Sequence, residues 1–265
     1  MTSGVSRPID IPLGNGRRAR SVRATRTAPA GAVVAGLGLG PAHGLVVLNG
    51  GTADLGPELA EALRRVIGDE LARIAADERL TLLTGGTQAG IFALLGEGLA
   101  ASGRTAPCIG VVPSGRVTWP GRPADDPDLA DDHQRVPLEP HHSHFVLVEG
   151  SAWGDETAML SAMTDELSRA APAVVVLASG GSVARDEVDH HLRQGREVVV
   201  VAGSGRLADD LAAALDGDRH DDPTVTGSVS GRLLSFDLAG GGGLDDLIRR
   251  RLGLRPGPGR RRGDH

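Results

Sequence analysis

No lysine and no tyrosine occur among the 265 residues, and there are only three phenylalanines, two tryptophans and one cysteine. Each scarcity excludes something. A Walker-type phosphate loop needs a lysine after its glycines, so that class of nucleotide hydrolase is ruled out. With Cys108 alone, neither an intrachain disulfide nor a cysteine-based zinc cage can form. So few aromatics demand an aliphatic core, which suits a sheet covered by helices on both faces. No apolar run reaches transmembrane length, and the N-terminus lacks the compact apolar stretch of a signal peptide. A soluble chain in a reducing cytoplasm is the expectation, with no membrane partner. Also missing are a G-x-S-x-G elbow, an H-E-x-x-H pair and an EF-hand loop. Gly36, Gly38 and Gly40 approximate a dinucleotide fingerprint, but no convincing strand precedes them. No cofactor and no metal are expected.

Positive charge is scarce in the body of the chain. Residues 1–42 hold six arginines against one aspartate, and residues 253–265 hold four against one, which leaves −14 between them out of a net −6. An acidic body with basic ends does not make a nucleic-acid groove.

What is present is glycine, placed with a grammar. Leu80 to Leu95 reads LTLLTGGTQAGIFALL: an apolar run, then Thr84-Gly85-Gly86-Thr87, then a helix-compatible run without proline. A buried parallel strand reads as a short apolar run, and a glycine pair lets the chain turn tightly after it. A helix beginning near Thr87 aims its unpaired amides over the strand end, an arrangement that suits a phosphate. The pattern recurs in VVLNGG (46–51), VVVLASGG (174–181) and VVVVAGSGR (198–206). Strands are therefore expected at 45–48, 80–83, 108–112, 144–149, 173–178, 197–202 and 232–237. The helices between them are expected at 57–76, 87–102, 156–170, 183–193, 207–215 and 244–252. This alternation predicts an α/β fold, a doubly wound, mainly parallel sheet of about seven strands, with ligand at the carboxyl ends of the strands. Residues 43–252 are expected to form that domain. Residues 1–42 read as a loose segment with an edge strand near 20–24 and a short helix or Ala/Gly linker at 28–39, and residues 253–265 as a disordered arginine-rich tail. The stretch 113–137, with five prolines and a cluster of aspartates, reads as a long loop of the lid or binding type.

Individual side chains stand out at the strand ends. Glu156 opens a helix after Gly154, where a carboxylate can bond a ribose hydroxyl or cap the helix. Glu187 holds a similar station six residues after Gly181. Both are candidate acids for catalysis. Arg206 follows Gly205 at another helix start and can fork onto a phosphate. His141, His142 and His144 form the densest imidazole cluster. Adjacent residues on an extended chain diverge, so the expected role is a structural hydrogen bond rather than a metal site.

Several blocks together resemble a known family: LTGGTQAG (83–90), IGVVPSGRV (109–117), LEPHHSHFVLVEG (138–150), Trp153-Gly154-Asp155-Glu156 and VVVAGSGRLADD (199–210). They are similar, in order and over residues 45–215, to the SLOG domain of melastatin-type TRP channels and its prokaryotic LSDAT relatives. The resemblance implies a Rossmann-like domain that binds an ADP-ribose-like or other nucleoside-phosphate ligand. It puts the phosphates over Gly85-Gly86-Thr87, Trp153 against the ligand, Glu156 holding the site and Arg206 on phosphate. One channel-segment arginine, four residues past the glutamate, is Leu160 here. The strand-end residues Gly50, Gly51, Thr84, Pro113, Ser114, Gly115, Gly154, Gly180, Gly181, Gly203, Ser204 and Gly205 complete the expected binding set.

The expected function is a ligand-sensing module for a small nucleotide. A nucleotide N-glycosidase related to the LOG phosphoribohydrolases is the alternative, although their PGGxGTxxE pattern is echoed only loosely by Gly180, Gly181 and Glu187. A non-catalytic scaffold is the third reading. A homo-oligomer or a separate effector protein stays open as macromolecular partner.

Overall fold

The structure, a computed structural model, describes residues 4–51, 55–103, 106–130, 135–216, 230–240 and 243–255. Eleven strands are found among them: β1 (Ile9–Pro12), β2 (Arg18–Ala24), β3 (Leu45–Gly50), β4 (Thr81–Thr84), β5 (Cys108–Pro113), β6 (Val117–Thr118), β7 (Val136–Pro137), β8 (His144–Val148), β9 (Ala173–Ala178), β10 (Val198–Ala202) and β11 (Leu233–Asp237). Nine of them make one sheet in the order β1-β2-β8-β5-β4-β3-β9-β10-β11, and β6 pairs only with β7. Every pairing in the large sheet is parallel except β1 with β2.

The expected seven strands are present, and the sheet is wider by two. The N-terminal residues read as loose supply a hairpin. Its second strand is interior rather than an edge, pairing Arg20 with His144 and Ala24 with Val148, while β1 takes the outside.

In β3, β4, β9 and β10 the apolar strand residues alternate between two aliphatic cores. Val46 and Leu48 face one, with Leu82, Val174, Val176 and Val199, while Leu45 and Val47 face the other, with Leu83, Ile109, Val175 and Val198. The first core is closed by α2 (Pro57–Leu63), a π-helical stretch (Arg64–Leu71), α3 (Ala72–Asp77), α4 (Gly90–Ala101) and α8 (Leu244–Arg251). The second is closed by α1 (Ala30–Leu37), α5 (Thr157–Leu167), α6 (Ser182–Arg193) and α7 (Arg206–Leu215). Each such Val or Leu, fully buried, stabilises the fold by roughly 1.5–3 kcal/mol. The helix expected over 57–76 is thus interrupted by wider π turns. There Gly68 meets Gly98 of α4 so closely that a Cβ on Gly98 would strike the Gly68 carbonyl.

The described part of the 113–137 loop, residues 113–130 and 135–137, is held by specific contacts. Arg122 holds it from inside, donating from Nε to Asp126 (2.9 Å) and from Nη1 to the Val117 carbonyl (2.7 Å), with its guanidinium 4.5 Å from the Trp119 ring centroid. Residues 131–134 of this loop, and 256–265 of the tail expected to be disordered, lie outside the described residues. No helix among the described residues is long and apolar enough to cross a membrane.

Candidate functional site

From β3 the chain steps outward through β4 and β5 to β8, then returns to lay β9 on the other flank of β3. Strand order reverses between β3 and β9, so their carboxyl ends diverge into loops running opposite ways and leave a crevice. A cavity of about 380 Å³ occupies that place. Its floor is the end of β3 at Leu48, Gly50 and Gly51. Gly85, Thr87 and Phe92 form one wall, Trp153, Glu156 and Leu160 a second, and Gly181, Ser182, Glu187 and Arg206 the third.

Backbone geometry explains the glycine at 50. Its φ is +155°, and a Cβ there would collide with the Ala178 carbonyl of β9, which also accepts the Gly51 amide at 3.2 Å. Two non-glycine residues beside the cavity hold left-handed backbone, Ser179 (φ 59°) and Arg206 (φ 55°). Such conformations cost of order 1 kcal/mol each and persist where neighbours over-determine them. Here Ser204 does so: its Oγ accepts the Ser179 amide at 2.8 Å and donates to Val201, while the Ala208 amide reaches the Ser179 carbonyl at 3.0 Å. The start of α7 is thereby latched to the turn after β9, and Arg206 is presented over Gly181.

The polar groups of the cavity are largely unspent. Among the described residues Arg206 has no ion pair or hydrogen bond from its guanidinium, and the buried hydroxyl of Thr87 has no partner. The first amides of a helix have no intrahelical acceptor. Those of α6 follow Gly181, which makes no side-chain cap, and point at this space. Glu156 and Glu187 are both buried, at 8% and 7% exposure. Burial pushes the Glu187 carboxyl up to about 8, and the charges of Glu156 and Asp186 push the same way. Burial also raises Glu156, opposed by the Gly154 amide that donates to it at 2.9 Å. Glu187 is thus a protonated acid at neutral pH, a donor rather than a base. Trp153 is 38% exposed, an uncommon station for indole and a face on which a ring can stack.

The family model described as SLOG in TRPM, prokaryote, matches residues 43–241. The chain belongs to that family. A search of curated proteins gave no match.

This SLOG-family chain brings Gly50, Gly51, Gly85, Thr87, Trp153, Glu156, Gly181, Glu187 and Arg206 to one cavity. The remaining expected residues stand elsewhere. The Thr84 hydroxyl is fully buried against His142 and accepts the Gly86 amide at 2.9 Å. Gly86 packs on Gly110, and Gly180 on Ala184 and Leu177. Gly203 donates its amide to Asp209, Ser204 is the latch, and Gly205 is the residue before α7. Pro113 ends β5, and Gly115 donates to the Gly150 carbonyl at 2.8 Å. Ser114 lines a separate hollow of about 830 Å³ over β2 and β8, while Gly154 lines a groove between α5 and α6. The larger hollow has its arginines already paired with aspartates, whereas the switch-point cavity has a free guanidinium, so the smaller space is the candidate site.

The helix after β4 begins at Gly90, not near Thr87, and the intervening amides are taken internally: Gly86 by Thr84, Gln88 by Pro137 and Ala89 by Thr87. The unspent amides belong to α6. His142 makes the structural hydrogen bond expected of the cluster, and no group of three or more metal-ligating residues occurs among the described residues. Sequence reasoning passed over Asn49, a buried amide with neither Nδ2 nor Oδ1 partnered, and Phe92, whose ring fills the space beside Gly85. Only the VVLNGG context of Asn49 hinted at a strand-end role.

Proposed function

We propose that this domain binds a nucleoside-phosphate ligand, ADP-ribose-like in character, in the switch-point cavity, with its phosphate on the α6 amides and Arg206. The observation that carries the reading is the unpaired Arg206 guanidinium beside an uncapped helix start and a buried, unpartnered Thr87 hydroxyl. Helix N-termini and arginine forks both favour phosphate oxygens. Glu156 and the protonated Glu187 are suited to ribose hydroxyls and to acceptor atoms of a base, and Trp153 offers a stacking face. Family membership supports a nucleotide-related module. A Rossmann-like reading of the sheet, a cytoplasmic setting and an effector protein as downstream partner complete the proposal.

A thermal-shift series with AMP, ADP, ADP-ribose and cyclic dinucleotides tests it. A ligand that binds only the native state raises the melting temperature, by about 2.7 kcal/mol of stabilisation at a hundredfold excess over Kd. No response to any of them contradicts the reading.

A second reading rests on the two carboxyls. A protonated Glu187 could hand its proton to a leaving base while Glu156 takes one from water, giving N-glycosidic hydrolysis. Incubation with nucleoside monophosphates and chromatography separates the two. Release of free base, lost in Glu187→Gln, supports the enzyme, and binding without release supports the sensor.

A further inference from the structure

The inner faces of α5 and α6 are spent on the second core, which buries Met159 and Met163 of one and Val188 and Leu192 of the other. Their outward surfaces enclose a groove of about 550 Å³. On its α5 side stand Ala158, Ser161 and Ala162, side chains small enough to admit another helix closely. On its α6 side stand Val183, Asp186, His190 and Arg193. Steps of three, four and three residues put these four on one stripe, the seam pattern of a helix that packs on a helix.

The charges on that stripe are free and ordered. Asp186 and Arg193 are exposed, and among the described residues neither side chain has an ion pair or a hydrogen bond. They stand two turns apart, about 10 Å along α6. The groove's other carboxylate, Asp165, is already neutralised by Arg196 at 2.6 Å and lies 3.3 Å from His190. A ligand of one sign would meet as much repulsion as attraction along this stripe. A second α6 running antiparallel meets only attraction, because a twofold axis between the two charges brings each acid onto the other copy's base.

We propose that this face joins two copies of the chain, the α6 ridge of each seated in the α5–α6 groove of the other. Asp186 of each copy then pairs with Arg193 of the second, and His190 lies nearest the axis. Val183 lines the groove and the switch-point cavity alike, so the interface lies against a wall of the candidate site. The dimer does not depend on what that cavity binds. Each copy offers a face on the order of 500 Å², below the ~800 Å² per partner of a standard interface, so association is reversible and concentration-dependent.

Sedimentation velocity of the full chain, from low to high micromolar concentration, tests the assignment. The wild type should pass from monomer to dimer across that range. Asp186→Arg alone and Arg193→Asp alone should each weaken association at least about tenfold, because both pairs become like-charged. An equimolar mixture of the two variants should dimerise again, since each supplies the charge that the other has lost. Both positions are exposed, so melting temperatures close to the wild type's show that the variants are folded. A wild type that stays monomeric at every concentration overturns the proposal and leaves the face to a partner of different sequence. A dimer that both single variants keep, or that mixing does not restore, places the contact on another face and overturns it as well.

Discussion

The Thr84 hydroxyl stands 2.7 Å from Nε2 of His142, and both side chains are sealed from solvent. Glu139 fixes the proton arrangement. One of its oxygens lies 2.7 Å from His142 Nδ1, and the other lies 2.9 Å from His141 Nδ1. The carboxylate, held below its usual range by the histidine hydrogen bonds against the cost of burial, accepts from Nδ1–H. Nε2 is then an acceptor for the hydrogen bond that the Thr84 hydroxyl donates, which leaves the Thr84 oxygen free to accept the Gly86 amide. The geometry resembles a catalytic triad, yet the hydroxyl is wholly buried and faces no cavity. Its work is to hold the turn after β4 in place, assisted by the Glu139 amide on the Gly86 carbonyl at 3.0 Å.

His142→Ala should therefore destabilise the fold by about 3 kcal/mol, because it takes one hydrogen-bond partner from a buried carboxylate and one from a buried hydroxyl as well as leaving a void. Urea denaturation measures this. A loss under about 0.5 kcal/mol, the range of an ordinary surface change, would show that the relay is not structural.

Stability should fall away on both sides of mildly acidic pH. Glu187 binds its proton more tightly folded (about 8) than unfolded (4.5), so its stabilising effect is complete below 4.5 and is lost as pH rises toward 8. His191, buried and pushed down to about 3 chiefly by desolvation, works in the opposite direction. Unfolded imidazole takes up a proton below about 6.5, so stability drops as pH falls from there toward 3. Glu187→Gln should flatten the alkaline side, gaining on the order of 3 kcal/mol over wild type at pH 8. Melting temperatures across pH 4–9 decide it, and identical alkaline slopes for the two proteins would refute the assignment.

Gly50→Ala should cost about 1–3 kcal/mol, since its Cβ would meet a β9 carbonyl that cannot move without breaking the pairing at the switch point. The same substitution at Gly205, where a Cβ would meet nothing within 4 Å, meets backbone strain only, from φ +88°. Denaturation midpoints of the two variants should differ in that order, Gly50→Ala being the less stable. The reverse order would contradict the close approach.

The seven expected strands were legible because each is a short, mostly apolar run of four to six residues, a signal that survives without neighbours. Val198–Ala202 needs no partner to be recognised. Of the hairpin only the second strand was legible, near 20–24, and its interior place was not: Ile9–Pro12 is short, half exposed and ends in proline, and Arg18–Ala24 is fixed by His144–Val148, more than a hundred residues away. At the site, glycine pairs marked where strands end, but not whose amides stay free. That depends on Pro137 and Thr84 claiming the donors after β4, a tertiary outcome. Likewise Gly203, Ser204 and Gly205 read as ligand contacts, while the structure uses Ser204 to brace the residue that lines the cavity, Arg206.

Equilibrium titration of ADP into the wild type and Arg206→Ala most directly tests whether the switch-point cavity grips a phosphate. Arg206 is exposed and unpaired among the described residues, so its removal should leave the ligand-free melting temperature unchanged. The expected result is saturable binding to a single site in the wild type, weakened about 10- to 100-fold in the variant, as befits a lost charge-assisted fork. Binding of equal strength in both proteins, or none in either, would contradict it.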